Sequence, residues 1–213
     1  MELNNLMALK GSIPKQVRIV CATKYVEPKD MLKLLESGLN EFGENRVEAF
    51  LDKYEELKDQ KIIWHFIGHL QTNKAKEVVE KIEYLHSLSS LKLAKIISKC
   101  RVRPLKCFVE VNINAEETKS GLAVEELNDF ISEVKDLENI ELVGLMAMSK
   151  ASSTSLEKYN QFKFLHELLD KVNADFNLNL KELSMGMSDD YKEAIKAGAT
   201  FIRLGRVLWK QEN

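Results

Sequence analysis

Val17-Arg-Ile-Val-Cys-Ala-Thr-Lys24 is a short apolar run that ends on a lysine. Side chains alternate along a strand, so Val17, Ile19, Cys21 and Thr23 share one face and Val20, Ala22 and Lys24 the other. Both faces stay apolar until the last residues, a pattern that suits a parallel strand covered on both sides. Lys24 then becomes the first strongly polar group met where the strand leaves the core. Partial desolvation at such a rim disfavours the ammonium and leaves more free amine, the form that attacks an aldehyde. The alternative is a solvated boundary lysine, one of 31 Lys and Arg residues among 213.

Outward from this stretch the pattern repeats. Pro28 opens a segment with Met31, Leu32, Leu34 and Leu35 at helical spacing, and Gly38 follows as a C-terminal stop. Further strands are predicted at Asn40 to Gly43, Ile62 to Ile67, Tyr84 to Leu88, Leu105 to Val111, Leu142 to Met148, Glu182 to Met185 and Thr200 to Leu204. Helices are predicted at Arg46 to Leu57, in the Lys/Glu-rich run ending near Lys81, and at Leu91 to Lys99, Leu122 to Leu137, Leu156 to Val172 and Asp189 to Ala197. Strict alternation of strand and helix implies a parallel sheet, and eight repeats favour closure into one α/β domain, a single (β/α)8 TIM barrel over residues 1–213. A doubly wound open sheet is the runner-up, but Lys24-Tyr-Val-Glu-Pro28 lacks the glycines of a dinucleotide loop.

Composition narrows the function. Thirty-one basic against 33 acidic residues leave a formal charge of −2, so no global field draws the chain to nucleic acid or an anionic membrane. Cys21, Cys100 and Cys107 are an odd number without CxxC spacing and read as reduced thiols. No run of about 18 apolar residues occurs, and Met1-Glu-Leu-Asn-Asn-Leu-Met has no basic head before a long apolar stretch, so a cytoplasmic location is expected.

In a barrel, the residues after each strand gather on one face. Two such segments suit an anion: Ser184-Met-Gly-Met-Ser188 after the seventh strand and Arg203-Leu-Gly-Arg206 after the eighth, with glycines for close approach and hydroxyls and free N–H groups as donors. Ser188 reads equally well as a helix N-cap ahead of Asp189 and Asp190, and the anion reading requires both acids to face solvent. His65 and His69 are four apart, but Gly68 separates strand from helix, so no metal site is expected and His65 reads as a hydrogen-bonding residue at the barrel mouth. Lys119-Ser-Gly121 reads as a solvated turn, and His86 and His166 carry no recognisable arrangement.

Lys24, Gly43-Glu-Asn45, Trp64-His-Phe-Ile-Gly-His-Leu-Gln-Thr-Asn-Lys74, Lys119-Ser-Gly121, Gly144-Leu-Met-Ala-Met148, Ser184-Met-Gly-Met-Ser-Asp189, Ala194-Ile-Lys-Ala-Gly198 and Arg203-Leu-Gly205 occur in this order. With them the chain resembles the YggS/PROSC family of pyridoxal phosphate homeostasis proteins over nearly its whole length. The resemblance implies a barrel similar to the N-terminal domain of alanine racemase, with pyridoxal 5'-phosphate (PLP) held as a Schiff base on Lys24. It places Arg203 near the pyridine nitrogen and the phosphate on Ser184, Ser188 and the backbone at Gly205 and Arg206. Asn45, His65 and Met146 line the ring or the pocket mouth, and Met185 counts among the cofactor-binding positions.

The function implied is a carrier that buffers PLP and regulates vitamin B6 and amino-acid homeostasis without turnover, as a monomer, with apo PLP-dependent enzymes as prospective partners. A PLP-dependent racemase is the alternative, with Tyr25 the one tyrosine beside the lysine. A cofactor-free barrel enzyme acting on a sugar phosphate is the third class.

Overall fold

The structure is a computed structural model, and it describes residues 1–4, 6–115 and 120–210. Eight strands follow one another around a closed barrel in sequence order, every neighbouring pair parallel. They are β1 (Arg18–Ala22), β2 (Glu41–Glu44), β3 (Ile63–Phe66), β4 (Tyr84–Leu88), β5 (Leu105–Glu110), β6 (Ile140–Met146), β7 (Glu182–Met187) and β8 (Phe201–Leu204). The helices are α1 (Leu6–Ser12), α2 (Pro28–Glu36), α3 (Val47–Glu56), α4 (Ala75–Val78), α5 (Leu91–Cys100), α6 (Leu127–Val134), α7 (Ser155–Phe176) and α8 (Tyr191–Lys196). The (β/α)8 barrel expected from the alternation is the fold observed.

Apolar burial is divided between two layers. Cys21, Phe42, Phe66, Leu85, Val109, Leu145, Met185 and Ile202 point outward into the large core under the helices. Val20, Tyr84, Phe108, Met146 and Phe201 form a smaller cluster inside the barrel. This division follows from strand alternation, which sends successive side chains to opposite faces of the closed sheet.

Several helices are shorter than their periodicity predicts. The Lys/Glu-rich segment buries only Ala75, Val78 and Val79 and yields one turn of α-helix followed by a 3-10 turn, Val79–Lys81, because most of its length is a solvated face with nothing to pack. The segment from Leu122 becomes a 3-10 turn, Val124–Glu126, and then α6. The longest helix, α7, starts on a capping box in which Thr154 and Glu157 exchange bonds, and ends where Asn177 turns left-handed at φ 51°. Among the described residues no helix is long and apolar enough to cross a membrane.

Gly144 sits where the β5–β6 register shifts, Cys107 pairing with Leu142 and Phe108 with Gly144. A Cβ there would lie 1.7 Å from the carbonyl oxygen of Glu182 on β7, a backbone atom that cannot yield. Gly144→Ala is therefore expected to cost about 3 kcal/mol or more, and thermal unfolding should register a fall in Tm of roughly 6–12 °C.

Candidate functional site

Parallel closure brings the residues that follow each strand to one face, and three adjacent strands supply the groups most suited to chemistry. The last ladder bond beyond β1 is Thr23 N–H to Gly43 O at 3.1 Å, after which the chain turns, with Val26 N–H donating to Thr23 O at 2.8 Å. Lys24 lies in that turn and is exposed. The expectation that it closes the strand as a partly desolvated amine is corrected: the sheet ends at Ala22, so the amine stands in solvent, its Nζ 5.1 Å from the centre of the Tyr25 ring.

The backbone carrying Lys24 is nevertheless held hard from behind. Lys53 Nζ, reaching in from α3, donates to Thr23 O at 2.7 Å and to Glu44 Oε1 at 2.7 Å, and Thr23 Oγ1 donates to the same carboxylate oxygen at 2.6 Å. Thr23 and Glu44 are fully buried. Lys53 does not stand out in the sequence, since its contact with Thr23 joins residues 30 apart, and Glu44 is read there only as part of the Gly43-Glu-Asn45 run.

β2 pairs Gly43 with Ala22, which sets Asn45 level with Lys24 around the mouth. Asn45 Oδ1 is buried without a protein partner. Gly68 makes this packing possible, because a Cβ there would lie 2.3 Å from Asn45 O. An amide left unpaired at the rim of the barrel is a polar group reserved for a ligand.

On the other side of β1, Gly205 rests against Ala22, the site of its absent Cβ 3.5 Å from Ala22 O. Ser188 Oγ accepts from Gly205 N–H at 3.2 Å and from Val207 N–H at 3.4 Å, so the β7 and β8 loops converge on one hydroxyl. Two long N–H bonds and a rotatable hydroxyl form a donor set fit for a tetrahedral oxyanion. Ser188 is not an N-cap: Asp190 occupies that position and the helix starts at Tyr191. The expectation that both acids face solvent holds for Asp189 and is corrected for Asp190, whose buried carboxylate is occupied by donors of its own. Asp189 is exposed and pairs with the exposed guanidinium of Arg206. Asp190 is buried, accepting from Met187 N–H at 2.6 Å and from Ser149 Oγ.

Arg203 is buried, its NH1 donating to Ser184 O at 2.9 Å and to Ser184 Oγ at 2.6 Å, and its NH2 facing Ala147 O at 3.3 Å. Burial lowers its pKa to about 10, against the pull of Glu110 and Asp190, and it keeps its charge at neutral pH. Glu110 closes this side of the site: burial raises its carboxyl, although the Ser120 hydroxyl at 2.7 Å and the charges of Arg203 and His69 oppose that, and its Oε2 has no protein partner.

Three of the residues expected at the ligand are engaged or directed elsewhere. Ser184 is fully buried and engaged by Arg203 and by His86, so its hydroxyl is not an anion donor. Met185 points outward under the helices. His65 is fully buried inside the barrel, bonded to His86 rather than standing at the mouth, while His69 is exposed, so the two histidines do not converge. Met146, the last residue of β6, is level with Glu110 and faces the interior cluster of Val20 and Phe201. Lys24, Asn45, Ser188, Arg203 and Gly205 share the mouth, and Arg206 contributes backbone there while its side chain leaves for Asp189. Lys119 lies outside the described residues; Ser120 is tied to Glu110, and Gly121 takes φ 111°.

The alanine racemase N-terminal domain family matches residues 3–212. The pyridoxal phosphate homeostasis protein of Aquifex aeolicus (strain VF5) is 39% identical over 198 residues, covering 90% of this chain and 86% of that protein. The structure of PipY from Synechococcus elongatus PCC7942 with PLP bound superposes with a TM-score of 0.88 at 28% identity, covering 96% of this chain and 98% of that one. The alanine racemase of Clostridium difficile 630 shares the fold at a TM-score of 0.76 and 17% identity, with 56% of its length covered.

Two outcomes follow from the buried groups. Lys53→Met leaves the Glu44 carboxylate buried and uncompensated, at an expected cost of about 3–5 kcal/mol in urea unfolding, whereas Glu44→Leu with Lys53→Leu should recover much of it. Burial holds His86 well below its ordinary value of 6.5, with the charges of His65, Arg203 and Arg18 acting the same way. Burial also lowers His65, partly opposed by Glu41. With folded values below unfolded ones, the unfolded chain takes up protons first as pH falls through 6.5. Stability from these rings is present above that pH and lost below it, by up to ~1.4 kcal/mol per pH unit for each ring. Glu83 and Glu110, raised by burial, act in the opposite sense. The slope between about pH 7 and pH 5 should therefore be shallower in His86→Gln than in the unaltered protein, measured by urea unfolding.

Proposed function

Because this chain belongs to the alanine racemase N-terminal domain family, and within it to the pyridoxal phosphate homeostasis proteins, we propose that it binds pyridoxal 5'-phosphate at the barrel mouth. In this role it carries and buffers the cofactor and so regulates vitamin B6 and amino-acid pools. The observation that supports this most directly is that the turn carrying Lys24 follows β1, whose neighbours β2 and β8 lead to the unpartnered Asn45 Oδ1 on one side and to the Ser188–Gly205–Val207 donor set on the other.

When bound, the cofactor supplies an aldehyde, an anionic tail and an electron-withdrawing ring. Lys24 would be the residue that holds the aldehyde, its amine being the nucleophile the cofactor's carbonyl requires. Thr23, held by Lys53 and Glu44, fixes the backbone from which that amine reaches. Ser188 and the N–H groups of Gly205 and Val207 take the phosphate. Arg203 would be the partner for the heterocycle nitrogen, and a donor that cannot accept a proton would leave that nitrogen unprotonated and restrain the ring as an electron sink.

An exposed amine suits carriage, since cargo reaches it and leaves it without any opening of the barrel. Tyr25, the one tyrosine beside the lysine, is 79% exposed, so it is not held against a closed reaction space by the described residues. We assign the protein delivery of the cofactor to apo enzymes rather than turnover of its own.

The test is borohydride reduction of the protein incubated with pyridoxal phosphate, followed by peptide mass spectrometry. A reduced pyridoxyl group on Lys24, lost in Lys24→Ala together with the yellow colour, is expected. Adducts spread over other surface lysines, with Lys24 unmodified, would contradict the assignment.

A further inference from the structure

Beneath the mouth, six side chains are strung across the barrel interior. Arg18, at the opposite end, donates from Nε to Glu41 Oε1 at 2.9 Å and pairs its NH2 with Oε2 at 2.9 Å. Glu41 Oε2 lies 3.2 Å from His65 Nε2, at ion-pair distance but outside hydrogen-bond geometry, so neither atom has a hydrogen-bond partner in the protein. His65 Nδ1 is 2.9 Å from His86 Nε2, and His86 Nδ1 is 2.7 Å from Ser184 Oγ. Ser184 Oγ accepts from Arg203 NH1 at 2.6 Å. Both imidazoles have zero exposure, His65 stacked on Tyr84 and His86 on Phe108.

Chemistry gives this chain a direction. Burial pushes the Glu41 carboxyl up, but the bonds from His65 and Arg18 prevail and hold it below its ordinary value. An ionised carboxylate only accepts, and its charge 3.2 Å from His65 Nε2 favours the proton on that nitrogen. Burial keeps His65 neutral, which makes its Nδ1 an acceptor and obliges His86 Nε2 to donate. His86, neutral for the same reason, then accepts at Nδ1 from the Ser184 hydroxyl, whose lone pairs are left for Arg203. In the reverse order Ser184 Oγ would receive N–H groups from both sides, and its own proton would have to find another acceptor.

We propose that Glu41, at the far end of the barrel from the mouth, is a positioning residue for Arg203. By fixing both histidines as Nε2–H tautomers, it directs the Ser184 proton to His86 Nδ1 and keeps the Ser184 lone pairs for the guanidinium instead of sharing them with a His86 N–H. The consequence for cofactor binding rests on the function proposed above; the tautomers do not.

The test is nitrogen-15 NMR of the histidine rings in the full chain without cofactor. Both His65 and His86 should be protonated at Nε2 and bare at Nδ1. Glu41→Gln, whose amide can donate to His65 Nε2, should populate Nδ1–H at both rings, whereas Ser184→Ala should leave the pattern as it was. An Nδ1–H signal from either ring in the unaltered protein overturns the proposal. So does a pattern that Glu41→Gln leaves untouched, or one that changes in Ser184→Ala. The unaltered protein and Ser184→Ala decide the matter where Glu41→Gln does not fold.

In an absorbance titration with pyridoxal phosphate, Glu41→Gln should bind about five- to tenfold more weakly while the reduced adduct stays on Lys24. Unchanged affinity with altered tautomers contradicts the positioning role. Absence of binding to the unaltered protein sinks the proposed function and leaves the tautomer result standing.

Discussion

The hydrogen-bonded seam between β8 and β1, running from Arg18 paired with Phe201 to Cys21 paired with Leu204, closes the barrel and joins the two ends of the chain. Everything at the mouth depends on it. It seats Gly205 against Ala22 and thereby sets the donors of the last two loops beside the turn that carries Lys24. Residues about 180 positions apart become neighbours because a closed parallel sheet leaves no other place for its final strand.

The same closure creates an interior that is unusually polar for this fold, whose barrels are mostly filled by layers of branched aliphatic side chains. Here Arg18, Glu41, His65, His86, Ser184 and Arg203 share that space with Tyr84, Phe108 and Phe201. Burying such groups is costly unless each is paired, and a connected chain supplies the partners. Among the buried atoms without a hydrogen-bond partner, Glu41 Oε2 and His65 Nε2 face each other inside the barrel at ion-pair distance, whereas Asn45 Oδ1 and Glu110 Oε2 lie toward the rim, where a ligand or solvent can complete them. The interior thus fixes Arg203, and the rim keeps its bonding capacity in reserve.

Most of the fold was legible in the sequence because alternating strand and helix periodicities are local signals. The ends of elements were less so. β1 stops at Ala22 and α4 at Val78, positions decided by ladder partners and by how little of a segment finds something to pack against. The mouth residues Lys24, Asn45, Ser188 and Gly205 were readable from their place after strands. Their electrostatic setting was not: Lys24 is solvated, and Thr23 is pinned by Lys53 from a helix 30 residues on. His86 carried no signal because its partner Ser184 is 98 residues away, and the same long-range bond withdraws Ser184 from the anion set expected of it.

A crystal structure of the protein grown with pyridoxal phosphate tests the central claim, that barrel closure sets an amine beside an oxyanion cradle. The account requires density continuous from Lys24 Nζ and a phosphate held by Ser188 and the N–H groups of Gly205 and Val207. A cofactor bound elsewhere, or one whose phosphate turns away from the loops after β7 and β8, would contradict it.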